Sequence, residues 1–325
     1  MDVYSVIGGS GFIGNYVVRE LAARGHTVQV ISRHPERASH LRTAGAVGQV
    51  VLNAVNAGDD KALHYALEGS QAVMYLPGIL YPRAAQLFDN VHAEWPRRIA
   101  HISKNLGVQK FLFMSALGIN RAARRSAYAA SKLRGEEWVR ESFPQAVIMR
   151  PSVVFGHEDH FFNAFAQMSR YCPLFPLVNG GNTRFQPVYV GDVAKACVVA
   201  MEEERHAGKT FGLGGPGVYT LKQLVELVLE WTHHRCVLMS LPRPAALALA
   251  SVMECLPHPM LTRDQVRLLD YDNVLKPSDD IRDFTDLGIV PKPIEAIVPG
   301  YLARYKGWEK AVPVKKIMAA KGTAA

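Results

Sequence analysis

The chain has 325 residues, 49% of them hydrophobic and 20% charged, the make-up of an ordinary globular protein with room for a large core. Its net charge of +8 is concentrated at one end: Arg304, Lys306, Lys310, Lys315, Lys316 and Lys321 face only Glu309 over residues 301–325, a balance of +5. The remaining +3 is too little for a surface that tracks nucleic-acid phosphates, so nucleic acid is excluded as a partner.

In chain order, Val3-Tyr4-Ser5-Val6-Ile7 reads as a strand. It breaks into Gly8-Gly9-Ser10-Gly11-Phe12-Ile13-Gly14, and a helical pattern with Val17, Val18, Leu21 and Ala22 follows as far as Gly25. Strand, glycine turn and helix form the context in which a dinucleotide fingerprint has physical meaning. One glycine lets the chain turn, one lets backbone N–H groups approach a pyrophosphate, and Gly14 lets helix and strand pack closely. The helix then aims its positive end at the phosphates.

Thr27 to Ile31 is a second strand ending in Ser32-Arg33. An NAD site usually carries an acid here for the ribose 2′-hydroxyl, yet none stands between Glu20 and Glu36. Ser32, Arg33 and Arg37 stand there instead, and a guanidinium pairs with a 2′-phosphate that a carboxylate would repel. NADP(H) is therefore the expected cofactor. Helix from His34 to Thr43, strand from Val47 to Leu52 and helix from Asp59 to Leu67 follow, with Asn53 and Ala54 placed beside the adenine. Ala72 to Leu76 is the fourth strand, and Pro77-Gly78 lets the chain pass close to the cofactor. Ala84 to Leu106 reads as a long helix that Pro96 bends or interrupts.

Phe111 to Met114 forms the fifth strand and delivers Ser115 to its carboxyl end, the edge where open α/β sheets hold ligands. Tyr128 and Lys132 lie one helical turn apart and face the same way. A lysine cation beside a phenol is expected to lower its pKa and make it an acid–base group, with Ser115 orienting a carbonyl or hydroxyl. Ala146 to Met149 is the sixth strand, and the following turn, with Pro151 and Val154, crosses near the nicotinamide.

Beyond Gly156 the alternation loosens. Phe161 to Tyr171 reads as helix, Phe185 to Val190 as extended, and Asp192 as the cap of a helix running to about Glu204. Thr210 to Leu213 is a strand and Leu221 to Trp231 an amphipathic helix. Residues 244–256 form an apolar helix walled by Pro242, Pro244, Pro257 and Pro259, too short to cross a bilayer. It reads as a buried helix, with an interfacial or partner-docking helix as the alternative. Cys172, Cys197, Cys236 and Cys255 form no C-x-x-C pair and no metal-like grouping with histidine, and read as buried thiols in a reducing compartment. A strand that begins almost at Met1 leaves no room for a leader, so the chain is expected to start in the cytoplasm.

The fold expected is α/β: a doubly wound parallel-sheet Rossmann domain over 1–155, with later segments free to return to the sheet. A smaller mixed C-terminal domain over 156–310 and a basic tail over 311–325 complete it. The glycine spacing followed by Phe12-Ile13 resembles the extended and atypical short-chain dehydrogenase/reductases. Gly8 to Gly14, Ser115, Tyr128 with Lys132, Arg150-Pro151, Gln186 to Ala194, Leu261 to Val266, Asp272-Asn273-Val274 and Asp286 to Ile289 occur in order. Together they resemble the dehydrogenase-like accessory subunits of respiratory complex I (NADH:ubiquinone oxidoreductase), in their bacterial, presequence-free form. The runs Gln186–Ala194 and Thr262–Val274 are the specific part.

That resemblance implies a subunit that holds NADPH, sits with other complex I subunits at the junction of peripheral arm and membrane, and supports assembly without electron transfer through its nicotinamide. It also implies a peripheral location on the inner face of the plasma membrane, with lipid contact through 244–256 and the basic tail. In that reading Ser115, Tyr128 and Lys132 fasten ribose and nicotinamide. The alternative is a soluble NADP-dependent epimerase, dehydratase or reductase in which Tyr128 is the acid–base group and Lys132 its modifier. A weaker third reading is a redox sensor of NADPH/NADP⁺. Arg170, Arg184 and Lys195, candidates to grip a substrate diphosphate, form no obvious cluster.

Overall fold

A computed structural model describes residues 2–83, 86–257, 259–276 and 281–306. In chain order its elements are β1 (Val3–Ile7), α1 (Phe12–Ala23), β2 (Thr27–Ser32), β3 (Val50–Ala54), α2 (Asp60–Leu67), β4 (Ala72–Tyr75), α3 (Trp95–Asn105), β5 (Lys110–Met114), α4 (Ile119–Ala122), α5 (Ala127–Ser142) and β6 (Val147–Pro151). There follow β7 (Val154–Phe155), α6 (Phe161–Tyr171), β8 (Leu174–Val178), β9 (Arg184–Phe185), β10 (Val188–Tyr189), α7 (Val190–Glu202) and β11 (Thr210–Leu213). The chain continues through β12 (Tyr219–Thr220), α8 (Leu221–Thr232), β13 (Val237–Leu241), α9 (Arg243–Met253), α10 (Arg263–Leu268) and α11 (Ile294–Leu302).

Seven parallel strands form one sheet in the order β11-β6-β5-β4-β1-β2-β3. Its central strands are apolar on both faces, as a sheet covered by helices on both sides requires; β4 is buried at every residue. On one face Val17, Val18 and Leu21 of α1 pack with Val193, Ala194 and Cys197 of α7. On the other, Leu63, Ile99 and Val139 of α2, α3 and α5 close over Tyr75 and Phe113. The strand order reverses between β1 and β4, and at such a switch point the carboxyl ends of the strands leave a crevice. A second core, centred on Phe155, Phe162, Phe175, Leu224 and Val298, lies in the later part of the chain.

Several boundaries differ from the sequence reading for identifiable reasons. The return of later segments to the 1–155 sheet, which the sequence reading left open, is seen in β11, the edge strand beside β6, and in α7, which packs on α1. Residues 35–43 form a 3-10 helix, not an α-helix, opened by Pro35. The third strand lies three residues later than read, since Val47 is fully exposed while Val50 is buried against β2. The long helix expected over 84–106 is a π-helical turn at Asn90–Glu94 running into α3. Pro96 stands just after that π-helical turn, so the helix is interrupted at the place where the proline lacks an N–H to donate.

Asp192 is not a cap: Tyr189 holds that position, and the buried Asp192 carboxylate instead accepts from Lys292 N at 2.7 Å. Only Cys197 is a buried thiol; Cys172 and Cys255 are exposed and Cys236 half-buried. On α9 only Ala246 and Ala250 are buried, so the helix is not a core helix. The tail over 311–325 lies outside the described residues. Among the described residues no helix is long and apolar enough to cross a membrane.

Candidate cofactor site and its Ser-Tyr-Lys set

β1 ends in a turn that only glycines can make. Gly8 has φ +78°, and a Cβ on Gly14 would lie 2.3 Å from Gly8 O, so helix α1 packs directly on the loop backbone. Gly8 N donates to Ile31 O at 3.0 Å and Gly11 N to Gly8 O at 3.0 Å, and the first-turn N–H groups of Phe12, Ile13 and Gly14 meet no acceptor among the described residues. Gly11 occupies the N-cap position with no side-chain cap. Such a helix start suits an anionic ligand. Ser10 Oγ bonds Ser32 Oγ at 2.9 Å and ties the loop to the end of β2.

Arg33 leaves β2 exposed to solvent. With the Gln86 amide turned so that its carbonyl faces the guanidinium, Arg33 donates to it at 2.9 and 3.2 Å. Arg37 is exposed one turn further on. Asn53 stands opposite Ile31 on β3 and donates from Nδ2 to Gln29 Oε1 at 3.3 Å, which leaves its carbonyl free to accept. Ala54 ends β3 beside an open cavity of about 450 Å³ shared with Pro35, Glu36, Ser39, Arg42 and Leu52. After β4, Leu76 N donates to Ile7 O at 3.1 Å, and the Pro77 ring lies 3.0 Å from where a Cβ on Gly8 would be. These two turns therefore flank the switch point from either side.

Of the three polar groups expected at the nicotinamide end, Lys132 and Ser115 meet at the carboxyl end of β5, while the Tyr128 ring packs edge-on against His92. Lys132, 2% exposed, donates from Nζ to Met114 O at 2.9 Å and reaches Pro77 O at 3.5 Å. A Cβ on Gly78 would come to 3.4 Å of that ammonium. Ser115, at the end of β5, is 4% exposed and its Oγ has no partner among the described residues. An orphaned buried hydroxyl costs free energy unless a ligand completes it. Pro151 O accepts from Leu117 N at 2.9 Å, and Val154 pairs with Val188, so both lie on the strand ends beyond β5.

The electrostatics depart from expectation. Burial pushes the Lys132 ammonium down to about 7, with the Glu136 carboxylate pulling the other way. Burial pushes the Tyr128 phenol up to about 12, and Lys132 does not bring it down. The reason is geometric: the lysine is committed to backbone carbonyls of β5 and the β4 turn. Glu136, one turn beyond Lys132, forms a two-pronged ion pair with Arg150 at 2.8 and 2.5 Å. That pair is almost completely buried.

Two participants were not visible as such in the sequence. His92, in the π-helical turn, is fully buried beneath Tyr128 and Lys132. Asp264 of α10 accepts from Ser126 Oγ at 2.7 Å, Ala127 N at 2.9 Å and Tyr128 N at 3.1 Å, a carboxylate cap brought from 136 residues away to the start of α5. Asp264 lies in the Thr262–Val274 run singled out for its resemblance, and the Thr262-x-x-Gln265 capping box starts its helix. Downstream of Asp264, Asn273 donates to Leu117 O at 2.8 Å, Ser152 Oγ donates to Asn273 Oδ1 at 2.6 Å, and Arg184 clasps Asp272. Arg170, Arg184 and Lys195 are not brought together by these contacts. Among the described residues no cluster of His, Cys, Asp or Glu could hold a metal ion.

The residues present fit a nicotinamide dinucleotide: free N–H groups at a helix start, glycines at the points of close approach, and a buried hydroxyl without a partner. A model of the NAD dependent epimerase/dehydratase family matches residues 4–214. The mitochondrial NADH dehydrogenase (ubiquinone) 1 alpha subcomplex subunit 9 of Rattus norvegicus is 36% identical over 90% of this chain and 78% of its own length. Its namesake from Arabidopsis thaliana is 31% identical over 94% of this chain and 78% of its own. Among solved structures, an NADPH-dependent quinone oxidoreductase from Escherichia coli in complex with NADPH superposes with a TM-score of 0.71 at 19% identity, covering 92% of this chain and 99% of that one.

Proposed function

This chain belongs to the NAD dependent epimerase/dehydratase family and to its branch of complex I subunits, and from that membership we propose that it is a non-catalytic, NADP(H)-binding accessory subunit of NADH:ubiquinone oxidoreductase. Gly8, Ser10, Gly11, Phe12, Ile13 and Gly14 hold the pyrophosphate; Ser32, Arg33 and Arg37 take the 2′-phosphate; Asn53 and Ala54 border the adenine. Leu76, Pro77 and Gly78, with Pro151 and Val154, line the nicotinamide end, where Ser115, Tyr128 and Lys132 fasten the ribose and ring. A bound dinucleotide would supply a hydride donor or acceptor; the chain's own residues bind it and keep water from it.

The observation that carries the non-catalytic reading is the state of Tyr128 and Lys132. A phenol raised to about 12 is a poor proton donor or acceptor near neutrality, and Lys132 commits two of its three N–H groups to Met114 O and Pro77 O, leaving one for the ribose. The outer face of α9, with Leu249 and Val252 exposed and Leu256 just beyond, supports docking on another subunit or on lipid at the membrane-proximal junction. The subunit then sits peripherally on the inner face of the plasma membrane.

Native electrophoresis of detergent-solubilised membranes tests the assignment: the chain should co-migrate with NADH:quinone oxidoreductase activity, and migration only as a free soluble species refutes it. Arg33→Ala should weaken NADPH binding by about tenfold to a hundredfold and leave NADH binding unchanged. Equal affinity of the wild type for the two nucleotides refutes the NADP(H) assignment. A second reading, a soluble reductase or epimerase, is favoured by the unpartnered Ser115 hydroxyl, which could orient a substrate oxygen. Tyr128→Phe decides between them: it should leave respiration and complex assembly nearly intact, whereas the enzyme reading requires turnover to collapse.

A further inference from the structure

His92 is the one fully buried ionisable side chain at the nicotinamide end to which no role has yet been given. Its two nitrogens are unambiguous. Ile79 N–H donates to Nε2 at 3.0 Å, so Nε2 carries a lone pair and the proton sits on Nδ1. Nδ1 then donates to Ser131 Oγ at 2.9 Å, and the Ser131 hydroxyl donates to Tyr128 O at 2.8 Å. Every donor in this run faces an acceptor.

Packing fixes the ring as firmly. Phe88 stacks on it with centroids 5.6 Å apart, and the Tyr128 ring meets it edge-on at 5.2 Å. A Cβ on Gly135 would fall 1.8 Å from His92 O, so α5 rests directly on the π-helical turn that carries the histidine. The groups facing it are Tyr128 and Lys132 of α5; Glu136, paired with Arg150 of β6, lies one turn further along. Burial and the Lys132 charge hold the imidazole neutral, with its pKa driven down to about 2. With Nε2 accepting a backbone N–H and the Nδ1 proton committed to Ser131 Oγ, neither ring nitrogen is left for a ligand.

We propose that His92 is a positioning residue: through Nε2 and Nδ1 it clamps the turn after β4 to the segment of α5 bearing Tyr128 and Lys132, and so fixes the wall against which the dinucleotide's nicotinamide end rests. The inference rests on the cofactor reading above and assigns that site its internal brace. Lys132 Nζ already meets that turn, at 3.5 Å from Pro77 O, so the turn and the helix form one wall of the site, and both hang on the same imidazole.

The test uses the full chain, with dissociation constants for NADPH and NADH measured by fluorescence titration across the range in which Lys132 titrates. His92→Leu fills the space without either hydrogen bond; His92→Gln can accept from Ile79 and donate to Ser131; Ser131→Ala cuts only the Nδ1 arm. His92→Leu should weaken both nucleotides by about tenfold and move the pH midpoint of binding, Ser131→Ala should do so to a smaller degree, and His92→Gln should restore both readouts. If His92→Leu does not fold, the Gln and Ser131 variants carry the test alone. Wild-type affinity and midpoint in Ser131→Ala together with loss of binding in His92→Gln would overturn the proposal, as would wild-type binding by His92→Leu. Failure of the cofactor reading looks different: wild-type protein that binds neither nucleotide, which takes this proposal with it.

Discussion

Replacing Ser115 with alanine should stabilise the cofactor-free protein, the opposite of what most buried substitutions do. The hydroxyl is 4% exposed and unpartnered among the described residues, so the native fold carries its desolvation cost of about 1–3 kcal/mol without a compensating bond. Alanine removes that cost and leaves only a small void, for a net gain of roughly 1 kcal/mol. In a chain of this size that raises Tm by about 1–3 °C, measurable by calorimetry on stripped protein. Saturating NADPH should shrink or reverse the gain, because the hydroxyl then has something to bind. A Ser115→Ala protein that melts below the stripped wild type would refute the reasoning, since the hydroxyl would then have been making a net favourable bond.

Lys132 predicts a pH dependence. Its ammonium titrates near 7 in the fold and near 10.5 when free, so between those values the unfolded chain binds a proton that the native chain lacks. Stability contributed by this group should therefore rise with pH across that window and be lost as pH falls through about 7. Urea denaturation of wild type against Lys132→Met should show that slope only in the wild type. Arg150→Met should cost about 3–5 kcal/mol by stranding the buried Glu136 carboxylate, and the double change Glu136→Leu/Arg150→Met should recover most of it. Asp264→Ala, which frees the Ala127 and Tyr128 N–H groups at the start of α5 while Ser126 still caps Ala129 N, should cost about 1–2 kcal/mol and increase amide exchange at residues 127 and 128.

The Rossmann half was largely legible because its signals are local. Val3–Ile7, the glycine turn and the α1 pattern set strand, loop and helix within a few residues of one another, and the spacing of Tyr128 and Lys132 puts them on one face of a helix. Long-range events were not legible. Nothing in the composition around Asp264 says that its carboxylate will cap a helix begun at Ala127, and no period of apolar residues marks His92 as the residue under Tyr128. The expected effect of Lys132 on Tyr128 failed for a related reason: the one-turn spacing gives proximity, but the strand that supplies Met114 O decides where the ammonium points. Periodicity also misread residues 244–256, because an apolar helix looks the same whether its face is covered by this chain or by another molecule.

The seventh strand of the sheet comes from Thr210–Leu213, and the carboxylate on the first turn of α5 comes from Asp264. Synthesis on the ribosome therefore delivers the glycine turn and the Tyr-Lys helix long before the pieces that close them. A nascent chain released after the sixth strand exposes an open sheet edge and an unguarded helix end, so premature termination anywhere before about residue 270 is expected to yield a species that aggregates or is degraded, not a smaller nucleotide-binding module.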